Sequence, residues 1–283
     1  MQARFVLFLA LPVLGCRDAS PSTDVVVPTG ELTVLTYNVA GLPQGISSSD
    51  PERNIPQISP LLNGFDLVLV QEDFWYHQEL VAQVQHPHRS EPWTDDPAQD
   101  GMGDGLNRFS QLAFGELERV PWYSCHGRLE CASDCLATKG WSYARHTLDE
   151  GVEVDVYNLH KEAGSCPEDV EIRANAAEHL VEAIAARSEG RAVIVAGDFN
   201  LKVDRPGDGD SLRRIVEGAG LTDACEAVAC GDQRIDMIMV RGSDDLELEV
   251  LSWWLPEEFV DAETGEALSD HLPVAASLRY GPR

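Results

Sequence analysis

The chain has 283 residues, 43% of them hydrophobic and 24% charged, with a formal net charge of −27. That balance builds a globular core and excludes a disordered or fibrous polypeptide. So acidic a surface argues against high-affinity nucleic-acid binding, though not against brief contact with a nucleic acid as substrate.

The first sixteen residues, MQARFVLFLALPVLGC, carry one Arg and an apolar run from Phe5 to Leu14. Residues 1–15 read as a short export signal, and the run is too short for a membrane span. Gly15-Cys16 resembles a bacterial lipobox, with Cys16 as the lipidated first residue. Leu14 is bulkier than that pattern prefers, so an ordinary secretory signal is the alternative. Residues 16–30 are rich in Ser, Pro, Thr and Asp and read as a tether. Residues 31–283 are then one domain, expected to be an exported monomer, either secreted or held in the cell envelope. A lipid on Cys16 would supply membrane association.

Within that domain, Glu31 to Val39 alternates into a strand. Pro43 to Pro60 reads as a loop, with a helix starting near Ile55. Phe65 to Glu72 is a continuous apolar run ending in an acid, the pattern of a buried strand. A short helix over Trp75 to Val84 and a polar loop over Pro87 to Gly105 follow. That loop is long enough to suspect a function. Strands are expected over Leu106 to Leu117, Trp141 to His146 and Val152 to His160. Glu168 to Ser188 predicts a helix, with Ile172, Ala176, Leu180 and Ile184 on one face and acids in its first turn. A buried strand (RAVIVAGDF), a helix over Leu212 to Gly218 and three strands (RIDMIMV, LELEVLSWW, LPVAASLRY) complete the chain. In LSWWLP, Trp253 or Trp254 either meets a membrane or is divided between core and rim.

Apart from Cys16 there are six cysteines, Cys125, Cys131, Cys135, Cys166, Cys225 and Cys230. An even number in an exported chain points to disulfides, with the connectivity open. Cys225 and Cys230 are near enough in sequence to pair. The spacings lack a regular C-x-x-C, which disfavours zinc.

Several strands end in polar residues: Asn38, Glu72, His160, Asp198, Asn200, Asp236, Asp270 and His271. Carboxylates and amide oxygens suit a hard cation such as Mg²⁺, and two histidines can move protons near neutral pH. The set points to metal-assisted hydrolysis of a phosphate ester. Taken singly each residue is ordinary: a turn Asn, a solvated Glu, a structural His. The ordered combination carries the weight.

That combination resembles the endonuclease/exonuclease/phosphatase, or DNase I-like, superfamily, through LTYNVAGLP, DLVLVQED, VYNLH, VIVAGDFN, RIDMIMV and SDHLPV, in that order from Leu35 to Val274. The resemblance implies a four-layer α/β sandwich, two packed β-sheets flanked by helices, with the site at one edge. It implies Glu72 as main metal ligand, with Asn38 beside it and Asp270 completing the shell. Asp198 and Asn200 would position the attacking water and the phosphate. His271, oriented by Asp236, would be base or phosphate ligand, and His160 would stabilise phosphoryl charge or assist the leaving group. In Gly103 to Phe114 the chain reads Ser110-Gln111 where relatives carry Ser-Arg or Ser-Lys, so a basic phosphate contact is missing or displaced. A second acidic metal residue of the nuclease branch has no clear match.

YNVAGLP and TKGW (Thr138 to Trp141) resemble the sphingomyelinase-like branch. The substrate implied is therefore a phospholipid, cleaved as a phosphodiester. Its quaternary ammonium could be caged by Trp93 and the acids of the Pro87–Gly105 loop, although a plain solvated loop is the simpler reading. A secreted nuclease on the same fold is the second reading. A non-catalytic binding protein is the third, and it has no need of both histidines and all the acids.

Overall fold

The computed structural model describes residues 28–93, 102–128, 131 and 134–283. The expected export signal, Cys16 and most of the tether lie outside the described residues, as do residues 94–101 of the long loop. The strands are β1 (Gly30–Asn38), β2 (Leu67–Gln71), β3 (His88–Arg89), β4 (Asn107–Ser110), β5 (Glu118–Pro121) and β6 (Gly140–Asp149). After them come β7 (Val152–His160), β8 (Val193–Asp198), β9 (Thr222–Asp223), β10 (Asp236–Arg241), β11 (Leu246–Trp254) and β12 (Val274–Pro282). The α-helices are α1 (Pro51–Leu61), α2 (His77–Val81), α3 (Pro167–Arg187), α4 (Asp208–Ala219) and α5 (Ala224–Ala227).

The strands form two six-stranded sheets, ordered β11-β12-β1-β2-β4-β3 and β5-β6-β7-β8-β10-β9. Alternation along each strand decides which layer a side chain joins. Leu32 and Val34 of β1 and Leu67 and Leu69 of β2 pack between the sheets against Val154, Val156, Ile194 and Ile238. Their neighbours Leu35, Tyr37, Val68 and Val70 point the other way, onto Ile55 and Ile58 of α1 and Leu80 of α2. On the far side Tyr157, Val193 and Val195 meet Leu180 and Ile184 of α3 and Ile215 of α4. The result is helix, sheet, sheet, helix: the four-layer α/β sandwich implied by the resemblance.

A polar belt crosses the inter-sheet core just beneath the strand ends. Gln71 donates to Asn158 Oδ1 at 2.7 Å, and Asn158 donates to Val70 O at 2.9 Å and Asn107 O at 3.1 Å. Fully buried Arg108 of β4 reaches across to Ser142 O and Oγ and to Val156 O. Buried polar groups lose a good deal if unpaired, so this belt fixes how one sheet registers on the other.

Several local expectations need correction. The segment before Ile55 is helical from Pro51, because Pro51 suits the first turn and the buried Ile55 and Ile58 secure the helix. The long loop contains β3, paired with β4 through His88↔Ser110 and Arg89↔Phe109. The strand expected to run to Leu117 stops at Ser110. Asp104, within the long loop, is buried and takes two bonds from Arg119, at 2.6 and 2.8 Å, so it is not free to cage a cation. Both tryptophans are half-buried: Trp254 stacks on Phe65 and Trp253 packs against the inter-sheet core.

Disulfides join Cys125–Cys135, Cys131–Cys166 and Cys225–Cys230. The first ties Cys125 to Cys135, and the second ties Cys131 to the start of α3, where Cys166 is the N-cap. Among the described residues no helix is long and apolar enough to cross a membrane.

Candidate active site

Parallel pairing brings strand ends together. In one sheet Asn38 at the end of β1 lies opposite Gln71, so Glu72 follows directly beside it. In the other, His160 at the end of β7 lies opposite Asp198 at the end of β8, and antiparallel β10 begins with Asp236 opposite Asp198. Close approach is needed at both places. A Cβ on Gly41 would meet Glu72 O at 2.4 Å, and one on Gly197 would meet Leu159 O at 2.0 Å. Only glycine fits either position.

The turns off these strands are strained. Glu72 and Asn200 have φ of +58° and +51°. Non-glycine residues rarely sit there, and when they do the strain clusters at functional sites. At Asn200 the strain is relieved locally, since its N–H donates to Asp198 Oδ1 at 2.9 Å. That bond is the physical content of the Asp-x-Asn spacing.

Around Asp198 the side chains converge. Asn38 Nδ2 lies 3.1 Å from Glu72 Oε1 and 3.3 Å from Asp198 Oδ2. His160 Nε2 is 3.3 Å from Asp198 Oδ2 and 3.9 Å from Glu72 Oε1. His271 Nε2 is 3.9 Å from the same Asp198 oxygen, and His271 Nδ1 is 2.8 Å from Asp236 Oδ2. Asn200 donates to Asp198 Oδ2 at 3.2 Å and to Lys161 O at 3.1 Å. Seven of the eight expected residues thus form one contact network. Asp270 stands apart: it is exposed and hydrogen-bonds Ser48 at the rim.

The acids do not titrate alike. Burial opposes ionisation of Asp198, but the hydrogen bond from His160 and the charges of both histidines outweigh it and hold the carboxyl well below the usual range. Burial, joined by the Asp198 charge, pushes Asp236 up to about 6. Burial acts against a charge on His271, yet Asp236, Asp198 and Asp270 overcome it and push the imidazole up to about 10. The proton shared by the Asp236–His271 pair therefore rests on His271 at neutral pH.

The donor set fits a hard cation. Glu72, Asp198 and Asp236 offer only oxygen, and Asp236 Oδ1 is buried with no hydrogen-bond partner among the described residues. Asp198, Asp236 and His271 bring three potential ligand atoms within 4.8 Å of one another. Asn38 turns its amide nitrogen, not its oxygen, toward the two carboxylates, because Ala40 N donates to Oδ1 at 3.0 Å. A second group of potential ligands, His126, Cys131, Cys166 and Asp169, has both sulfurs committed to a disulfide.

Two contributors escaped the sequence reading. Ser269, buried, donates to Asn38 O at 2.8 Å and accepts from His271 N at 3.2 Å, tying the Asp-His turn to β1. Its place before Asp270 in SDHLPV was the available signal. Lys139, from TKGW, pairs with Asp134 and donates to Lys161 O at 3.2 Å, and its charge is among those that lower Asp198. Beside the site a cavity of about 530 Å³ is lined by Val203, Arg234, Asp236, Asp270, His271 and Leu272.

Comparison with known proteins agrees with this architecture. The profile described as "Endonuclease/Exonuclease/phosphatase family" matches residues 35–271. A curated Mycobacterium tuberculosis protein named sphingomyelinase is 34% identical over 282 aligned positions, covering 91% of this chain and 54% of that protein. The chain thus spans about half the length of the curated relatives it matches. Among solved structures, a Staphylococcus aureus beta toxin variant with bound magnesium ions superposes with a TM-score of 0.63 at 16% identity, over 87% of this chain and 99% of that one. Danio rerio (D. rerio) TDP2 complexed with a single-strand DNA product gives 0.66 at 18% identity, over 88% and 98%. At such identities the structures speak for the fold alone. A profile spanning most of the domain, the four-layer sandwich and the polar cluster at its strand ends converge on one conclusion: the chain belongs to the endonuclease/exonuclease/phosphatase family.

Proposed function

We propose that the protein is an exported, Mg²⁺-dependent phosphodiesterase that hydrolyses a phospholipid of the sphingomyelin type. The observation that carries this is the network around Asp198, taken with the 34% identity to a sphingomyelinase. A divalent ion held by Glu72, Asp198 and Asp236 would neutralise charge on the phosphate. Asp270 at the rim would complete the shell through water.

The remaining chemistry belongs to the side chains. Asp198 Oδ2 faces both imidazoles, so a water bound there lies within reach of one group to take its proton and another to supply one. Asn200, fixed by Lys161 O, orients that water and the phosphate. The water's oxygen bonds to phosphorus as the bond to the lipid alcohol breaks, and His160 supplies the departing oxygen with a proton. His271, protonated at rest and held by Asp236, gives its proton to a phosphoryl oxygen and then accepts the attacking water's proton in its place. Each such proton transfer is worth about 10²–10⁴-fold in rate.

The net charge of −27 favours a zwitterionic headgroup over a polyanion. Residues 1–15 would direct export, Cys16 would anchor the chain through lipid, and the protein would act as a monomer. The deciding assay presents purified protein and Mg²⁺ with sphingomyelin vesicles, phosphoinositides, duplex DNA and single-stranded DNA. Sphingomyelin should be turned over fastest, and His271→Ala should abolish that turnover while the protein stays folded. Faster cleavage of DNA, lost in the same variant, would overturn the lipid reading in favour of a nuclease.

A further inference from the structure

Beside the cavity at His271, an apolar groove of about 660 Å³ opens between α4, β10 and β11. Its lining combines the apolar Val203, Leu212, Val216, Met237 and Trp253 with charged residues contributed by α4 and by the segment before β10. The groove bridges the two sheets, since β11 is an edge strand of one and β9 and β10 close the edge of the other. On α4, Ser211, Ile215 and Ala219 face inward and are buried. Leu212 and Val216 lie one turn apart on the next stripe and remain half exposed. Val203 is 49% exposed in an otherwise strongly acidic chain. The far wall includes Cys225, tied to Cys230, so that side of the groove is braced before any ligand arrives.

The groove is continuous with the candidate site. Val203, Gln233, Arg234 and Asp236 line both it and the cavity holding His271. A phosphorus centred near Asp236 and His271 would have its ester oxygen at the mouth of an apolar channel. Apolar walls next to such a site repay an occupant that carries apolar surface away from water.

We propose that this groove seats an alkyl chain on the alcohol side of the scissile phosphodiester, making chain length a determinant of specificity. The proposal rests on the phosphodiesterase reading and adds to it a binding site outside the catalytic network. Each methylene that enters should improve binding about two- to fourfold, the upper value corresponding to about 0.8 kcal/mol for a fully buried CH₂.

Two measurements test it with methyl-, butyl-, octyl- and decylphosphocholine, all kept below their micelle concentrations. In chelator-treated protein, tryptophan emission should change saturably with the longer esters but not with phosphocholine. Trp253→Phe should remove that signal, and Kd should fall with each added methylene. With Mg²⁺, kcat/KM should climb along the same series. Val216→Trp, which fills the groove, should flatten that climb while leaving methylphosphocholine turnover unchanged. Leu212→Arg should do the same should the first variant fold poorly. Affinity independent of chain length, or a slope unaltered by both variants, overturns the groove proposal even if every ester is cleaved. Chain-length-dependent binding with no ester cleaved overturns the phosphodiesterase reading and leaves the groove standing.

Discussion

His271 Nδ1 lies 2.8 Å from Asp236 Oδ2, a contact that joins the turn before β12 in one sheet to the first residue of β10 in the other. It orients the imidazole and favours its charged form. Asp236→Asn should lower kcat/KM by about 10²–10⁴-fold, the loss of one oriented proton-transfer group. The His271 titration midpoint, followed by ring-proton NMR in metal-free protein, should drop from about 10 toward its ordinary value. An unchanged midpoint would show that Asp236 does not set the proton affinity of His271.

Glu72 lies within a single hydrogen-bonded group with Asn38 and Asp198, and like charges gathered in this way repel. Calorimetry of chelator-treated protein should find Glu72→Gln at least as stable as wild type. Adding Mg²⁺ at about one hundred times its Kd should stabilise wild type by about 2.7 kcal/mol. The variant should gain far less. Equal gains in both proteins would remove Glu72 from the ligand set.

Lys161 is fully buried and its Nζ has no partner among the described residues. Burial, reinforced by the Arg173 charge, pushes its pKa down to about 7. In the unfolded chain it titrates near about 10.4. Between those values the unfolded state binds the extra proton, so this group's contribution to stability rises with pH; below pH 7 it is a constant penalty. Lys161→Met should therefore be more stable than wild type at pH 6, on the order of 2–5 kcal/mol. That advantage should shrink steadily from pH 7 to 10. Denaturant melts of both proteins across this range decide the matter, and a difference independent of pH would mean that the lysine is not buried charged.

Cys131–Cys166 closes a span of 35 residues, and Cys225–Cys230 one of 5. Loop-closure entropy makes the first worth about 3–4 kcal/mol and the second about 2 kcal/mol. Replacing each pair by serines should destabilise in that order. The reverse order, read from unfolding midpoints, would point to interactions other than chain entropy.

The site was legible in the sequence because its residues lie at or within a few positions of strand ends, and strand ends can be read from apolar runs. Asn38, Glu72, His160 and Asp198 follow such runs directly, and parallel pairing then gathers them. Asp270 has the same sequence signal but an exposed position, and only packing of the Ser48 turn decides that. Only the first turn of helix α1, Pro51 to Asn54, was hidden among the Gly, Ser and Pro residues before Ile55, because burial of Ile55 and Ile58 is a tertiary gain invisible to local propensity. Strand β3 exists only through its partner β4, and the crossing of Cys131 to Cys166 depends on where α3 begins. Ser269 acts through the carbonyl of Asn38 and Lys139 through that of Lys161, contacts set by packing between segments distant in sequence.

Strand β1 runs antiparallel to β12, with Gly30 opposite Tyr280 and Thr36 opposite Val274. Asn38 lies just past one end of this ribbon, and His271 lies just before β12 at the same end. Residues 30 and 280 sit at the other, roughly 20–30 Å away at about 3.3 Å per residue. The domain thus has a reactive pole and a connecting pole. Immobilisation chemistry applied through either end of residues 28–283, on a sensor surface or a bead, would orient every molecule alike with its catalytic face toward the solution. A reporter fused at residue 283 would likewise stand clear of approaching vesicles.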